Sequence, residues 1–143
     1  NHSFHHNPFL MMGSYDYLYQ EISRTQDVLQ KMGVNTLVFR PPVGIINPKL
    51  PLVLNKLGLF CLTFSCRAFD AGNRHVKNLS FRILKKVKAD DIILLHDVSP
   101  RRKEDNTLLL SEIEKILQEL IKKGLKVVPL TDLIGKKIMM IKH

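Results

Sequence analysis

Asp91-Ile92-Ile93-Leu94-Leu95-His96-Asp97 is an unbroken run of four apolar residues that ends in an imidazole and a carboxylate. Such a run, without polar alternation, is the pattern of a strand covered on both faces, as in a parallel sheet. The segments around it support that reading. Residues 78–89 before it and 106–124 after it have helical spacing of apolar positions, the second with Asn106 or Thr107 as cap and Gly124 as stop. Further out, residues 14–33 form an amphipathic pattern through Leu18, Ile22, Val28, Leu29 and Met32, ending at Gly33. Residues 47–58 read as a second helix with Pro48 near its first turn, and residues 131–137 as a short final one. Between them, residues 35–40, 59–65 and 125–130 read as short strands. Strands alternating with helices predict an α/β fold on a parallel sheet, doubly wound or closed into a barrel.

In such folds chemistry gathers where strands end. Arg40-Pro41-Pro42-Val43-Gly44 follows one strand, Arg67-Ala68-Phe69-Asp70 follows another, and His96 ends a third. Asn1-His2-Ser3-Phe4-His5-His6 holds three of the six histidines and suits the same rim position. His2 and His6, four apart, can grip one divalent metal if the loop turns them the same way. Two imidazoles do not complete a site, so a third ligand, normally a carboxylate, is required. Pro41 and Pro42 fix the backbone and Gly44 permits a turn, so the bend can aim the Val43 N–H at a bound oxygen. His96 beside a carboxylate such as Asp70 can hold a proton and serve as a general acid. His2, His6, Arg40, Asp70 and His96 are thus expected on one rim.

Composition is globular: 143 residues, 45% hydrophobic and 24% charged, enough for one domain with a core. No apolar run approaches the ~20 residues of a spanning helix, and the first residues lack a basic-then-apolar targeting pattern. Net charge is +9, which suits an anionic partner: nucleic acid, an acidic membrane surface or a cell-wall polymer. The cations are scattered, as Lys85-Lys86, Arg101-Arg102-Lys103, Lys122-Lys123 and Lys136-Lys137, so they read mainly as solvated helix faces and loops, and no nucleic-acid partner is expected. Cys61 and Cys66, with odd spacing on or beside one strand, point to opposite faces and read as buried thiols, not a disulfide or a zinc pair.

Taken in order, four of these motifs resemble the polysaccharide deacetylase family, also called NodB-homology or carbohydrate esterase family 4. His2, Ser3 and His6 look like its H-[ST]-x-x-x-H metal motif, and Arg40–Gly44 like R-x-P-x-G. Arg67–Asp70 looks like [RD]-x-x-[DN], and Leu94-Leu95-His96 like L-x-H. The resemblance implies a distorted (β/α) barrel, lacking its first strand or strands here, that removes acetyl groups from N-acetylated sugars of a polysaccharide or cell-wall glycan. It implies a divalent metal held by His2 and His6, most often zinc, with cobalt, manganese or nickel as alternatives. It assigns His96 as the acid, Asp70 as the partner that tunes it, Arg40 as the residue that orients the base, and the Val43 N–H as an oxyanion donor. Pro42 and Leu94 would shape the substrate side of the site, Leu94 the acetate pocket, and Ser3 would stiffen the metal loop. An extracytoplasmic or cell-envelope location follows from such substrates.

The chain departs from the family pattern. The T-F-D-D-G motif, which supplies the base and the third metal ligand, does not occur. Asp90-Asp91 begin a strand, at the end opposite the rim, and are rejected as substitutes. Residues 1–143 are therefore read as the C-terminal part of one catalytic domain whose acidic base lies on a missing N-terminal segment. Alone it would expose an open sheet edge, bind metal weakly and be inactive. Val43 stands where the family often has Tyr or Phe, and Phe64 where it often has Trp, so substrate identity differs more than reaction type. The rival readings are a non-catalytic glycan-binding barrel of the same family, and a nucleic-acid-binding module suggested by charge alone.

Overall fold

Ser14 caps the first long helix: its Oγ accepts the Tyr17 N–H at 3.2 Å. The computed structural model, which describes residues 1–141, continues this helix as α1 (Tyr15–Lys31), with Asp16 in the first turn and Lys31 in the last, as the helix dipole favours. Its Leu18–Ile22 face is buried together with Glu21 and Gln26. The chain ends the helix at Gly33, whose φ of 80° suits only a residue without Cβ.

The chain divides into two compact units. The first comprises Asn1–Thr63 and the segment from Ile134 onward. There, β1 (Val34–Thr36) pairs antiparallel with β6 (Met139–Ile141), while β2 (Val38–Phe39) pairs in parallel with β3 (Phe60–Cys61). The helix α2 (Leu50–Lys56) carries Pro51 in its opening positions, where its missing N–H is not needed. Leu10, Leu18, Ile22, Phe39, Leu50 and Val53 form a core from which solvent is almost wholly excluded. Each such side chain contributes ~1.5–3 kcal/mol of burial.

The second unit, Phe64–Leu133, is built on β4 (Cys66–Arg67), parallel to β5 (Ile93–Leu94). Against these pack α3 (Leu79–Leu84) and α4 (Asp105–Lys122), with Leu79, Ile83, Ile116 and Leu120 buried. Buried Glu112 of α4 accepts both the N–H and the Oγ–H of Ser80 at 2.7 Å, so the two helices share a polar anchor inside an apolar contact. A five-residue helix, α5 (Leu130–Ile134), follows.

The α/β class and the parallel pairings agree with the sequence pattern. Several local expectations do not. Residues 125–129 form no strand: Val127 is exposed and the segment has no ladder partner among the described residues, and Pro129 brings no N–H with which to start one. The chain instead forms β6, whose exposed Met139–Ile141 pattern gave no strand signal. Residues 35–40 split, because the Leu37 N–H turns to the Ile138 carbonyl at 2.8 Å while Val38–Phe39 join β3. β5 is parallel as expected but half-buried, not covered on both faces. Helix α4 starts at Asp105 without a side-chain cap from Asn106 or Thr107. Both cysteines are free thiols, but only Cys66 is buried; Cys61 is exposed, contrary to its reading as a core thiol.

Candidate metal and proton-transfer sites

In the first unit the opening loop is tied to β2. The Asn1 N donates to the Val38 carbonyl at 3.1 Å, and the Arg40 N–H donates to the Asn1 carbonyl at 2.9 Å. These two bonds flank Phe39 as one parallel rung, so His2 emerges at the C-terminal tip of β2, level with Arg40. Asn1 is fixed further by its Nδ2, which donates to the Ile22 carbonyl at 2.9 Å and to Gln26 Oε1 at 3.1 Å.

From there the loop folds back on itself. Ser3 and His6 both have positive φ, at 63° and 52°. Ser3 Oγ accepts the His6 N–H at 3.2 Å, which closes the loop and turns the two rings together. His2 Nε2 and His6 Nε2 lie 3.1 Å apart. Two nitrogens at ~2.0–2.1 Å from one tetrahedral cation stand about 3.3 Å apart, so the spacing fits a shared metal. His2 Nδ1–H donates to the Arg40 carbonyl. That bond puts the proton on Nδ1 and leaves Nε2 as a lone-pair donor. Burial drives the His2 pKa down to about 4, against the opposing pull of the Arg40 carbonyl, so the ring is neutral, as a ligand must be. His2 and His6 are therefore suited to hold a metal. Among the described residues no His, Cys, Asp or Glu joins them as a third ligand.

Two neighbours of this loop had no place in the sequence reading. Buried Glu21 of α1 accepts the His5 N–H at 3.0 Å and pairs with His5 Nδ1 at 2.6 Å. Burial alone would raise the Glu21 pKa, but the His5 backbone and ring hydrogen bonds outweigh it and hold the carboxyl below its usual range. Phe4, next in the loop, carries the Arg24 guanidinium 3.8 Å above its ring. The only hint in the sequence is Glu21 on an otherwise apolar helix face.

Arg40-Pro41-Pro42-Val43-Gly44 leads from β2 into a short 3-10 turn (Pro42–Gly44). Pro41 and Pro42 are fully buried, and Val43 has φ 52° and ψ 5° with its side chain half-exposed. A β-branched residue in the left-handed region costs ~1–3 kcal/mol, and such strain collects at functional sites. The Arg40 side chain hydrogen-bonds nothing among the described residues; its carbonyl and N–H do the structural tasks above.

The second unit holds the other sequence-assigned residues. Leu94 lies in β5 opposite Arg67 of β4, and the loops after these strands carry Asp70 and His96. His96 Nδ1 meets Asp70 Oδ2 at 2.8 Å; Asp70 is buried, whereas a third of the His96 side chain is exposed. The carboxylate fixes the proton on Nδ1, and Nε2 remains on the outer side of the ring. Asn73, fully buried, holds this pair together. Its N–H donates to Asp70 Oδ2 at 3.1 Å, and its Nδ2 donates to the His96 and Val98 carbonyls at 2.7 Å each. Asn73 has φ 61°, a conformation Asn tolerates better than most residues. Sequence reasoning missed it, although the cluster Asp70-Ala71-Gly72-Asn73 is a turn signal. Asp90-Asp91 take no part in either site. Asp91 accepts the Ser65 Oγ–H at 2.6 Å and the Lys88 N–H at 2.9 Å, a structural clamp at the start of β5.

Residues 1–62, which contain the His2–His6 pair and the Arg40–Gly44 turn, match the family model described as polysaccharide deacetylase. The match extends to a relative, the peptidoglycan-N-acetylglucosamine deacetylase of Bacillus cereus, 28% identical over 139 residues that make up 96% of this chain and 63% of the relative. A solved structure of a family 4 carbohydrate esterase from Streptomyces lividans superposes with a TM-score of 0.74 at 27% identity, covering 96% of this chain and 68% of that one. The chain is thus similar to the polysaccharide deacetylases, in its first 62 residues by the family model and almost throughout by these two proteins. Its α/β fold is that of the NodB-type barrel deacetylases. A carbohydrate esterase family 4 pseudoenzyme from Bacillus anthracis shares the fold with a TM-score of 0.79 at 18% identity, covering 96% of this chain and 48% of that one. This chain spans less than two thirds of the length of its Bacillus cereus relative.

Proposed function

We propose that this chain provides the metal-gripping and proton-donating residues of a hydrolase that removes acetyl groups from N-acetylated sugars of a cell-wall or other polysaccharide. The observation that carries this reading is the pair of imidazole Nε2 atoms 3.1 Å apart, one of them oriented by the Arg40 carbonyl. A divalent metal held by His2 and His6, zinc before cobalt, manganese or nickel, supplies Lewis acidity toward the amide carbonyl and a more acidic water. The third ligand and the base are carboxylates from polypeptide outside this sequence, and the Arg40 side chain orients the base.

The remaining steps belong to the chain's own residues. The Val43 N–H, on its strained turn, donates to the oxyanion of the tetrahedral intermediate. His96 Nε2–H gives its proton to the departing sugar amine, while Asp70 accepts from Nδ1–H and holds the ring in position. Leu94 shapes the acetate pocket. With polymeric N-acetylated substrates the protein would act outside the cytoplasm, at the cell envelope.

The test combines binding and turnover. Zinc titrated into this chain should bind in a 1:1 complex that His2→Ala or His6→Ala abolishes. Acetate release from an N-acetylated glycan, by a protein that joins this chain to its upstream segment, should fall by ~10²–10⁴-fold in His96→Ala with zinc still bound. Zinc binding without any acetate release would favour the non-catalytic glycan-binding reading. Unchanged zinc affinity in both histidine variants would refute the metal assignment.

A further inference from the structure

The scattered cations of the second unit are not scattered in space. A cleft of about 1190 Å³ beside Ala68 and Phe69 is lined by Arg74, Lys77, Lys85, Lys86, Arg101 and Arg102, with Asp105 the single carboxylate among its lining residues. None of these six cations forms a salt bridge among the described residues, whose ion pairs lie elsewhere. Clustered like charges raise the energy of the folded chain, and a concave wall of one sign focuses its field on an incoming counter-charge. A seventh cation, Arg82, is committed to structure. Its guanidinium donates to the Ala68 carbonyl at 2.8 Å, to the Lys77 carbonyl at 2.6 Å and to the His75 carbonyl, which stitches the 68–77 loop onto α3 as the cleft wall.

Two further observations narrow the ligand. First, Phe69 and Asp70 are adjacent on one strained loop, with Phe69 at φ 55°. Phe69 lines the cleft while Asp70 holds His96. The loop that lines the cleft through Phe69 thus also positions His96 through Asp70. Second, the aromatic surface is already engaged by cations. Arg67 lies 4.1 Å and Lys86 5.1 Å from the centre of the exposed Phe69 ring, and Lys85 lies 5.4 Å from that of Phe81. Single-stranded nucleic acids bind through aromatic side chains on which successive bases stack. Here the rings hold cations in place instead.

We propose that this basic cleft is a subsite for an anionic N-acetylated glycan, whose carboxylate groups sit among Arg74, Lys77, Arg101 and Arg102 while the chain extends toward His96. The proposal rests on the deacetylase reading for the identity of the polymer, but its test needs no turnover. The probes are a hyaluronan oligosaccharide, which alternates N-acetylglucosamine with a uronate, a neutral N-acetylated chito-oligosaccharide of equal length, and a single-stranded DNA. Binding to the full chain is measured by calorimetry at low and moderate salt.

Hyaluronan should bind about tenfold or more tightly than the neutral sugar at low salt, with the advantage shrinking as salt rises. Arg101→Ser/Arg102→Ser should remove that advantage, whereas Lys136→Ser/Lys137→Ser, which deletes the same charge from the other unit, should leave it intact. Equal losses in the two double variants, equal binding of neutral and charged sugars, or tighter binding of DNA through the same arginines would each overturn the proposal. If the chain binds hyaluronan at the cleft while the protein that joins it to its upstream segment releases no acetate, the deacetylase reading is lost and this one is kept. A protein that deacetylates the neutral sugar while Arg101→Ser/Arg102→Ser binds hyaluronan as before keeps the deacetylase reading and loses this one.

Discussion

Replacing Asn73 should do more damage than its small side chain suggests. Asn73 is fully buried, and its Nδ2 donates to two carbonyls, those of His96 and Val98, at 2.7 Å each. Truncation to Ala removes both bonds, at ~0.5–1.5 kcal/mol apiece, before any cost of leaving the carbonyls without a donor. Ala must also adopt the φ of 61° that Asn73 holds, which costs a further ~1–2 kcal/mol. The sum is about 2–5 kcal/mol for Asn73→Ala. Asn73→Gly loses the same bonds, but glycine meets no Cβ penalty at this φ, so it should lose ~1–3 kcal/mol. With urea m-values of ~1–3 kcal/mol/M, the two midpoints should fall in the order wild type, Gly, Ala, with clear gaps between them. Urea denaturation of the chain followed by circular dichroism measures this directly. Asn73→Ala within ~0.5 kcal/mol of wild type would show that neither the clamp nor the left-handed backbone carries stability. Ala and Gly at the same midpoint would refute the backbone part alone.

Other outcomes follow from the same geometry. Burial pushes the Glu112 pKa up, but the Ser80 N–H, the Ser80 hydroxyl and Lys115 outweigh it, so the folded-state value lies below the ordinary one. Such a group stabilises the fold above its unfolded pKa of about 4.3, and the benefit disappears as pH falls through the lower folded value. Urea midpoints of wild type and Glu112→Gln should therefore differ at pH 7 and converge in acid; a gap that persists there would refute the assignment. Val43→Gly should raise stability by ~1 kcal/mol, because glycine adopts φ 52° without strain, whereas Val43→Pro, which forbids that φ, should unfold the turn; thermal denaturation distinguishes the two. Glu21→Ala should weaken zinc binding although Glu21 is no ligand, because the His5 N–H and ring lose the partner that fixes the loop; calorimetry of zinc binding by the chain checks this, and unchanged affinity would show that the loop holds its shape alone.

Much of the fold can be read from local sequence because its signals are short-range. Helices α1 and α4 declare themselves through apolar spacing and stop at Gly33 and Gly124, and the four-residue interval between His2 and His6 needs only one loop turn to bring the rings together. The segments that misled depend on distant partners. Residues 125–129 have strand composition but find no ladder, while Met139–Ile141 become a strand only because Val34–Thr36 present an open edge. Burial of Cys66 but not Cys61 is likewise a matter of what packs against each.

Taken alone, the amino-acid sequence determined the α/β class, the long helices and the residue types available for metal binding and proton transfer, since these rest on periodicity and on motifs a few residues long. Only the tertiary structure decided that Asn73 clamps Asp70 to His96, that Glu21 reaches the loop holding His2 and His6, and that Arg74, Lys77, Lys85, Lys86, Arg101 and Arg102 share one cleft. Those are meetings of side chains far apart along the chain, and their placement comes from the packing of α1, α3 and α4 against short strands, which no local pattern encodes.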